Sequence, residues 1–315
     1  MKTFNTNYFK DNCIFSWDDN DSGVMVIQKN AYTTAYNREF MIDNNAMNVI
    51  DKLGGIDSCD ITLKDNNVII KKGKVKVKTL IKDVPVPSLD LEDLQRLNLR
   101  YNIKKALPFT DLQNIKNGVL SAVQVRSTGN IVATDSYWAF QHNEGCDGED
   151  ISINVSAAFI KLLGSSNYKY TYNKHVIVAE DDDYKIIGRL IIGNYPDTNQ
   201  IFKYQAYEPF AVYDKNELIN ALDLAMLADS ESDCVILSDK GIRLLSGNFN
   251  SDLNPVNENI FEVAVNIRML KSIVKEFTED NIKMYCYGDV GLNPIVFRDI
   301  NNNDTYILLP IRVKE

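Results

Sequence analysis

Two histidines and five cysteines are the natural places to look for chemistry in this chain, and neither set is arranged for it. Cys13, Cys59, Cys146, Cys234 and Cys286 are far apart, odd in number and form no Cys-x-x-Cys pair. That pattern predicts reduced thiols in a cytoplasmic protein, with neither disulfides nor a zinc site. His142 and His175 stand near no convincing nucleophile, and His175 lies in an alternating, strand-like stretch where a surface or pocket role is expected. The acidic groups Glu180–Asp183 and Ser16-Trp17-Asp18-Asp19-Asn20-Asp21 have the ligand type for a divalent cation. Both fall between strand-like segments and lack the EF-hand spacing, so solvated turns are expected there. No G-x-G-x-x-G, P-loop, H-E-x-x-H or G-x-S-x-G pattern occurs. The expectation is a protein without catalytic residues, metal or cofactor.

Basic residues are the other resource. Lys72, Lys74, Lys76 and Lys78 in the run Lys71–Lys78 alternate as one strand face. Such a face either contacts phosphate or keeps a half-buried or edge strand soluble and unzipped, and the second reading is favoured. Arg268, Lys271 and Lys275 recur at i, i+3 and i+7 on one predicted helix, opposite its apolar face, and Lys52 and Lys161 hold comparable places on two others. The whole chain carries a formal charge of −9. That excludes a wholly basic DNA-coating protein but not one that segregates its charge. The predicted helices are near neutral in sum, so the negative charge is concentrated elsewhere.

The elements that must position these residues repeat. Three stretches show a strand, a short amphipathic helix and then further strands. In the first, Glu39–Ile42 is a strand, Asn44 or Asn45 an N-cap, and Met47, Ile50 and Leu53 a helix face stopped by Gly54-Gly55. In the second, Ser156 caps a helix carrying Phe159, Ile160, Leu162 and Leu163. In the third, Met269, Leu270, Ile273, Val274 and Phe277 make the helix face. Further helices are predicted over Asp214–Leu227 and, shorter, over Phe109–Leu120. Strands are expected over Cys13–Asp19, Gly23–Ala31 and Tyr32–Ile42, with no helix before the first copy. Pro85 and Pro87 mark a linker. The expected organisation is α+β, three repeated domains over residues 1–88, 89–205 and 206–315, the first shortened, with antiparallel sheets covered by helices on one face. No apolar run reaches the roughly 18 residues of a membrane span, and the opening Met1–Phe15 has no signal-peptide core. The expected location is the cytoplasm.

Three segments in order carry a family resemblance. Val132–Phe140 (VATDSYWAF) resembles the second-domain VATDGHRLA of the bacterial β sliding clamp, the processivity subunit of the replicative DNA polymerase III. Gly188–Phe202 (GRLIIGNYPDTNQIF) is similar to that family's KLVDGRFPDYRRVLP segment, and Tyr306–Val313 (YILLPIRV) to its C-terminal YVVMPMRL. The resemblance runs from about Phe40 to the end. The departures are the family's opening helix and strand, expected to be missing here, Ser136-Tyr137-Trp138-Ala139 for Gly-His-Arg-Leu, and Lys203 in place of a common proline. They are the departures of a divergent clamp, such as a phage or mobile element would carry.

The resemblance implies a head-to-tail homodimeric ring with sheets outside and helices lining a hole for duplex DNA. Lys52, Lys116, Lys161, Arg268, Lys271 and Lys275 would be the lining. It also implies a pocket between the second and third domains where the polymerase, the clamp loader and repair factors insert a short motif. By motif, its walls are Ile307, Leu309, Pro310, Ile311 and Arg312, facing Thr134, Tyr137 and Ala139, with Asn266, Met269 and Ile295 as further members. Alternation along the last strand means that about half of that strand is plain core. The second reading is a clamp-fold interaction protein that binds such motifs without closing a ring. A hydrolase built on the acidic clusters is the least favoured.

Overall fold

Asp43, Ser156 and Asn266 each end a strand and cap the helix that follows directly. Asp43 Oδ1 accepts from Ala46 N at 2.8 Å, Ser156 Oγ from Phe159 N at 3.3 Å, and Asn266 Oδ1 from Arg268 N and Met269 N at 3.0 Å each. Each cap satisfies amide donors that the first helical turn leaves open. In the first copy the cap is thus Asp43, one residue before Asn44 and two before Asn45.

The computed structural model describes residues 4–18, 23–32, 39–111, 115–126, 130–144, 146–147, 151–165, 167–202, 208–256 and 259–312, with backbone alone at 115–117 and 146–147. The first copy contains β1 (Thr6–Lys10), β2 (Cys13–Trp17), β3 (Val24–Gln28), β4 (Phe40–Asp43), α1 (Asn44–Lys52), β5 (Asp60–Lys64), β6 (Asn67–Lys72) and β7 (Val75–Leu80). The second contains β8 (Gln95–Leu99), β9 (Ala122–Arg126), β10 (Ile131–Thr134), β11 (Trp138–His142), β12 (Cys146–Asp147), β13 (Ser152–Ser156), α2 (Ala157–Leu162), β14 (Lys169–Tyr172), β15 (Val176–Glu180), β16 (Tyr184–Arg189) and α3 (Asn199–Phe202). The third contains β17 (Ala211–Asp214), α4 (Lys215–Ala228), β18 (Cys234–Ser238), β19 (Gly241–Leu244), β20 (Asn250–Ser251), β21 (Glu262–Asn266), α5 (Ile267–Glu276), β22 (Asn281–Cys286), β23 (Ile295–Asp299) and β24 (Asp304–Leu308).

Several expectations shift. Strand β1 has no counterpart in the sequence reading. The long strand expected before α1 is Phe40–Asp43, and residues 33–38 lie outside the described residues. Of the helix expected over Phe109–Leu120, Phe109 ends one 3-10 segment, Ile103–Phe109, and residues from 115 on form another, Ile115–Ser121, while residues 112–114 lie outside the described residues. Pro108 inside the first lacks an amide donor, and Gly118 in the second has φ +44°, both unsuited to a continuous α-helix. Lys71–Lys78 is not one strand but a β6–β7 hairpin turning at Gly73 (φ +58°), with Lys71 opposite Lys76. Lys72 Nζ is drawn to Leu53 O at the end of α1.

The chain packs as two units, residues 1–99 with 153–191, and residues 100–152 with 192–315. In the first unit the strands run β8-β14-β15-β16-β3-β2-β1-β4, antiparallel throughout, and β5-β6-β7 form a separate three-stranded sheet. Pairing of β3 with β16 joins the first copy to the second. Helix α2 packs on β16, where Phe159 fills the space a side chain at Gly188 would need: a Cβ there would lie 2.7 Å from Phe159. Phe9 stacks on Phe40 at 4.5 Å above Ile42, Ile50, Val68 and Ile70, all buried.

In the second unit the order is β9-β10-β11-β24-β23-β22-β17, with a four-stranded sheet β20-β19-β18-β21. Here β11 against β24 joins the second copy to the third. Alternation splits β24 cleanly. Tyr306 enters an aromatic core with Phe109, Phe140 and Phe277, ring centroids 5.3–5.6 Å away, while Ile307 faces the opposite side. An apolar, proline-interrupted ending is therefore a central strand that stops where Pro310 cannot donate. No helix among the described residues is long and apolar enough to cross a membrane.

Candidate functional site

The turn between β10 and β11 is a built object. Asp135 Oδ1 accepts from Tyr137 N at 2.8 Å and Trp138 N at 3.1 Å. Thr134 Oγ1 donates to Trp138 O at 2.7 Å and accepts from Ser136 N at 3.1 Å. Ser136 is held at φ +82°, a conformation that favours glycine. Burial raises the Asp135 carboxyl above its usual range, and the two amide donors offset part of that. The result holds the Tyr137 ring out, 66% exposed, while Trp138 turns inward against Phe109 at 4.3 Å.

Strand β24 supplies the second wall. Ala139 pairs with Ile307, and Leu309 N donates to Tyr137 O at 2.9 Å, one step past the end of the strand. Beyond Pro310 the chain turns away, and Ile311 N donates to Ala264 O at 2.7 Å. The third wall is the segment from Tyr195 to α3. Half-buried Tyr195 accepts from Thr134 N at 3.0 Å and donates to Ala122 O at 3.4 Å, and desolvation raises its phenol pKa. Arg126 holds the same segment from β9, donating to Thr198 Oγ1 at 2.9 Å and Asn199 Oδ1 at 2.8 Å.

These walls enclose a cavity of about 340 Å³, lined by Thr134, Ser136, Tyr137, Trp138, Ala139, Pro196, Asp197, Thr198, Ile201, Pro294, Ile307 and Leu309. Its floor is the buried cluster Ala139, Val296 and Ile307, with Ile201, Phe202 and Tyr285 packed against it. The lining is apolar with a few hydroxyls and one carboxylate, which suits an apolar side chain of a ligand rather than bond-making chemistry.

Of the expected wall residues, Thr134, Tyr137, Ala139, Ile307 and Leu309 meet in this cavity. Ile295 is fully buried, and its strand partner Leu308 lies on the core side of β24. Asn266 is occupied capping α5, and Met269 sits half-buried in that helix's first turn. Pro310, Ile311 and Arg312 lie past the cavity, with Ile311 and Arg312 exposed. Pro196, Asp197, Thr198 and Ile201 were not assigned from sequence. They lie inside the Gly188–Phe202 segment that carried the resemblance, which is the signal that points to them.

The expected basic faces differ among themselves. Lys52, Lys161 and Lys275 are exposed and each lies in the last turn of its helix, where a cation also complements the helix dipole. Arg268 is bound to Asp233 Oδ1 at 2.9 Å and Ser230 O at 3.0 Å. Lys271 lies half-buried in an ion pair with Asp223 of α4. The side chain of Lys116 lies outside the described residues. Around Glu180–Asp183, Glu180 pairs with Lys29 at 2.6 Å and Lys185 at 3.5 Å, while Asp181 caps the turn through Asp183 N and Tyr184 N. No group of side chains able to hold a metal ion occurs among the described residues.

No protein-family model matches the chain, and no curated protein matches it by sequence. Solved structures do. The β subunit of DNA polymerase from Streptococcus pyogenes matches with a TM-score of 0.78 at 15% identity, covering 99% of this chain and 92% of that one. The chain has the sliding-clamp fold. The Pseudomonas aeruginosa sliding clamp with ligand gives 0.79 at 14% identity, over 99% of this chain and 92% of that one. The Helicobacter pylori β clamp bound to a DNA ligase peptide gives 0.75 at 17%, over 99% and 92%. Within the clamp fold, the β10–β11 turn, the Gly188–Phe202 segment and β24 are the parts whose sequence carried the resemblance.

Proposed function

We propose that this chain is a DNA sliding clamp, non-enzymatic itself, that holds a replicative polymerase on duplex DNA. It consists of three domains over residues 1–88, 89–205 and 206–315, the first shortened, and works as a head-to-tail homodimer. The clamp fold over 99% of the chain carries the reading. The sheets support it. Strand pairing joins the first copy to the second and the second to the third within one chain, and the three-stranded sheet of the first copy and the four-stranded sheet of the third take no part in it. A second chain pairing with those two sheets would close a ring. Such a ring retains DNA by enclosure, so a body of charge −9 needs only sparse cations on its lining, here Lys52, Lys161 and Lys275.

The cavity beside β24 then receives a short apolar motif from the polymerase, the clamp loader or repair factors, anchored on Ile307 and Leu309 and covered by Tyr137. The deciding experiment is loading onto nicked circular DNA. Retention on circles, with release on linearisation, supports the clamp. A chain that binds the peptides but is never trapped supports the second reading, an interaction protein without a ring. One observation favours that alternative: Arg268 and Lys271 are engaged by carboxylates, and α4 exposes Leu224 and Leu227 rather than cations.

A further inference from the structure

The cavity beside β24 carries charge of one sign only. Asp197 stands exposed in its lining, and its Oδ1 accepts from Asn199 N at 3.0 Å, at the start of α3. Among the described residues no cation lies at ion-pair distance from Asp197, and none lines the cavity. Asp135, between the lining residues Thr134 and Ser136, is a second carboxylate, and Asp111 stands close enough to add to the rise that burial gives its pKa. Arg126 acts on Asp197 from behind the wall. It is part-buried, does not line the cavity, and donates to Gln124 Oε1 at 2.6 Å as well as to Thr198 and Asn199. The exposed ring of Tyr137 stands in the same lining, and an aromatic face attracts a cation. Where the resembling motif reads Gly-His-Arg-Leu, this chain reads Ser136-Tyr137-Trp138-Ala139, so neither basic residue of that motif is present.

We infer that the peptide segment received by this cavity carries a lysine or arginine beside its apolar anchor, paired with the Asp197 carboxylate and covered by the Tyr137 ring. The inference rests on the docking reading above and adds to it the sign of the charge. The apolar anchor supplies the affinity and the carboxylates select. A cation beside the anchor gains an ion pair, whereas an acidic residue in that place meets like charge. Asp197 is exposed, so the pair is weak beside the anchor and is screened by salt.

The test uses the full chain and three short labelled peptides that share a pair of leucines as anchor and differ only in the residues flanking it: lysine, glutamine or glutamate. By fluorescence polarisation at about 50 mM salt, the lysine peptide should bind about three- to fivefold more tightly than the glutamine peptide, the scale of an exposed ion pair. The glutamate peptide should bind more weakly than both. At about 500 mM salt the three should converge, because exposed charges are then strongly screened. Asp197→Asn should close most of the gap at low salt. Asparagine can still accept from Asn199 N, so the fold is kept, and an unchanged melting temperature checks this. Asp197→Lys should reverse the order of the peptides. Binding of none of the three overturns the docking reading itself, and this inference with it. Equal binding of all three, or a lead for the glutamate peptide, leaves docking standing and overturns the inference. A lysine preference that survives Asp197→Asn also overturns it, since another group then sets the choice.

Discussion

His142 Nδ1 lies 2.7 Å from Asp304 Oδ1, in register across the β11–β24 junction, and the Asp304 side chain is wholly buried. Tyr101 stacks on the imidazole at 3.7 Å and donates to the other carboxylate oxygen at 3.2 Å, and Tyr306 donates to it at 3.3 Å. One histidine, silent in the sequence, thus fastens the last strand of the chain to the copy before it. Removing one of three hydrogen-bond partners of a buried carboxylate costs on the order of 1–3 kcal/mol. His142→Ala should lose about that much by urea denaturation, and His142→Ala with Asp304→Asn should lose less, because no lone charge is left inside. Equal losses would show that the pair acts by packing alone.

Gly188 of β16 lies directly against Phe159 of α2. Gly188→Ala should cost roughly 1–3 kcal/mol, because the new methyl meets Phe159 ring and Cβ atoms at 2.7–2.9 Å. Adding Phe159→Leu should recover part of that loss, which thermal melts can read.

At the cavity rim, Ser136 sits at φ +82°. Ser136→Gly should raise stability by about 0.5–1 kcal/mol, and Ser136→Val should lower it by more, since a β-branched residue tolerates this backbone least.

Leu309 lines the cavity while being 38% exposed, so it separates binding from folding better than Ile307 at 2%. Leu309→Ala should weaken a polymerase-derived peptide by about tenfold in fluorescence polarisation, the scale of a lost apolar anchor, with the melting temperature almost unchanged.

Lys161→Glu with Lys275→Glu should shorten retention on DNA circles and steepen its salt dependence. Lys271→Glu is expected to act differently. It opposes a glutamate to Asp223 between α4 and α5, so its main effect is lower stability in denaturant.

What the sequence determined by itself was local. The Ser156 cap followed from its place ahead of apolar 3.6-residue spacing, and the first helix stop from Gly54-Gly55, at φ +94° and +92°. The repeated strand–helix–strand order emerged because each copy obeys the same short-range rules. The alternation of β24 announced that only half of its residues would face a ligand, and Ile307 against Tyr306 is that division. Only the tertiary structure decided which half. It also decided that Pro196–Ile201 closes the cavity, that Lys271 spends its charge on Asp223, and that His142 meets Asp304. Periodicity tells which residues share a face of their own element. What that face meets depends on which distant strand or helix packs beside it, and no spacing along the chain encodes that choice.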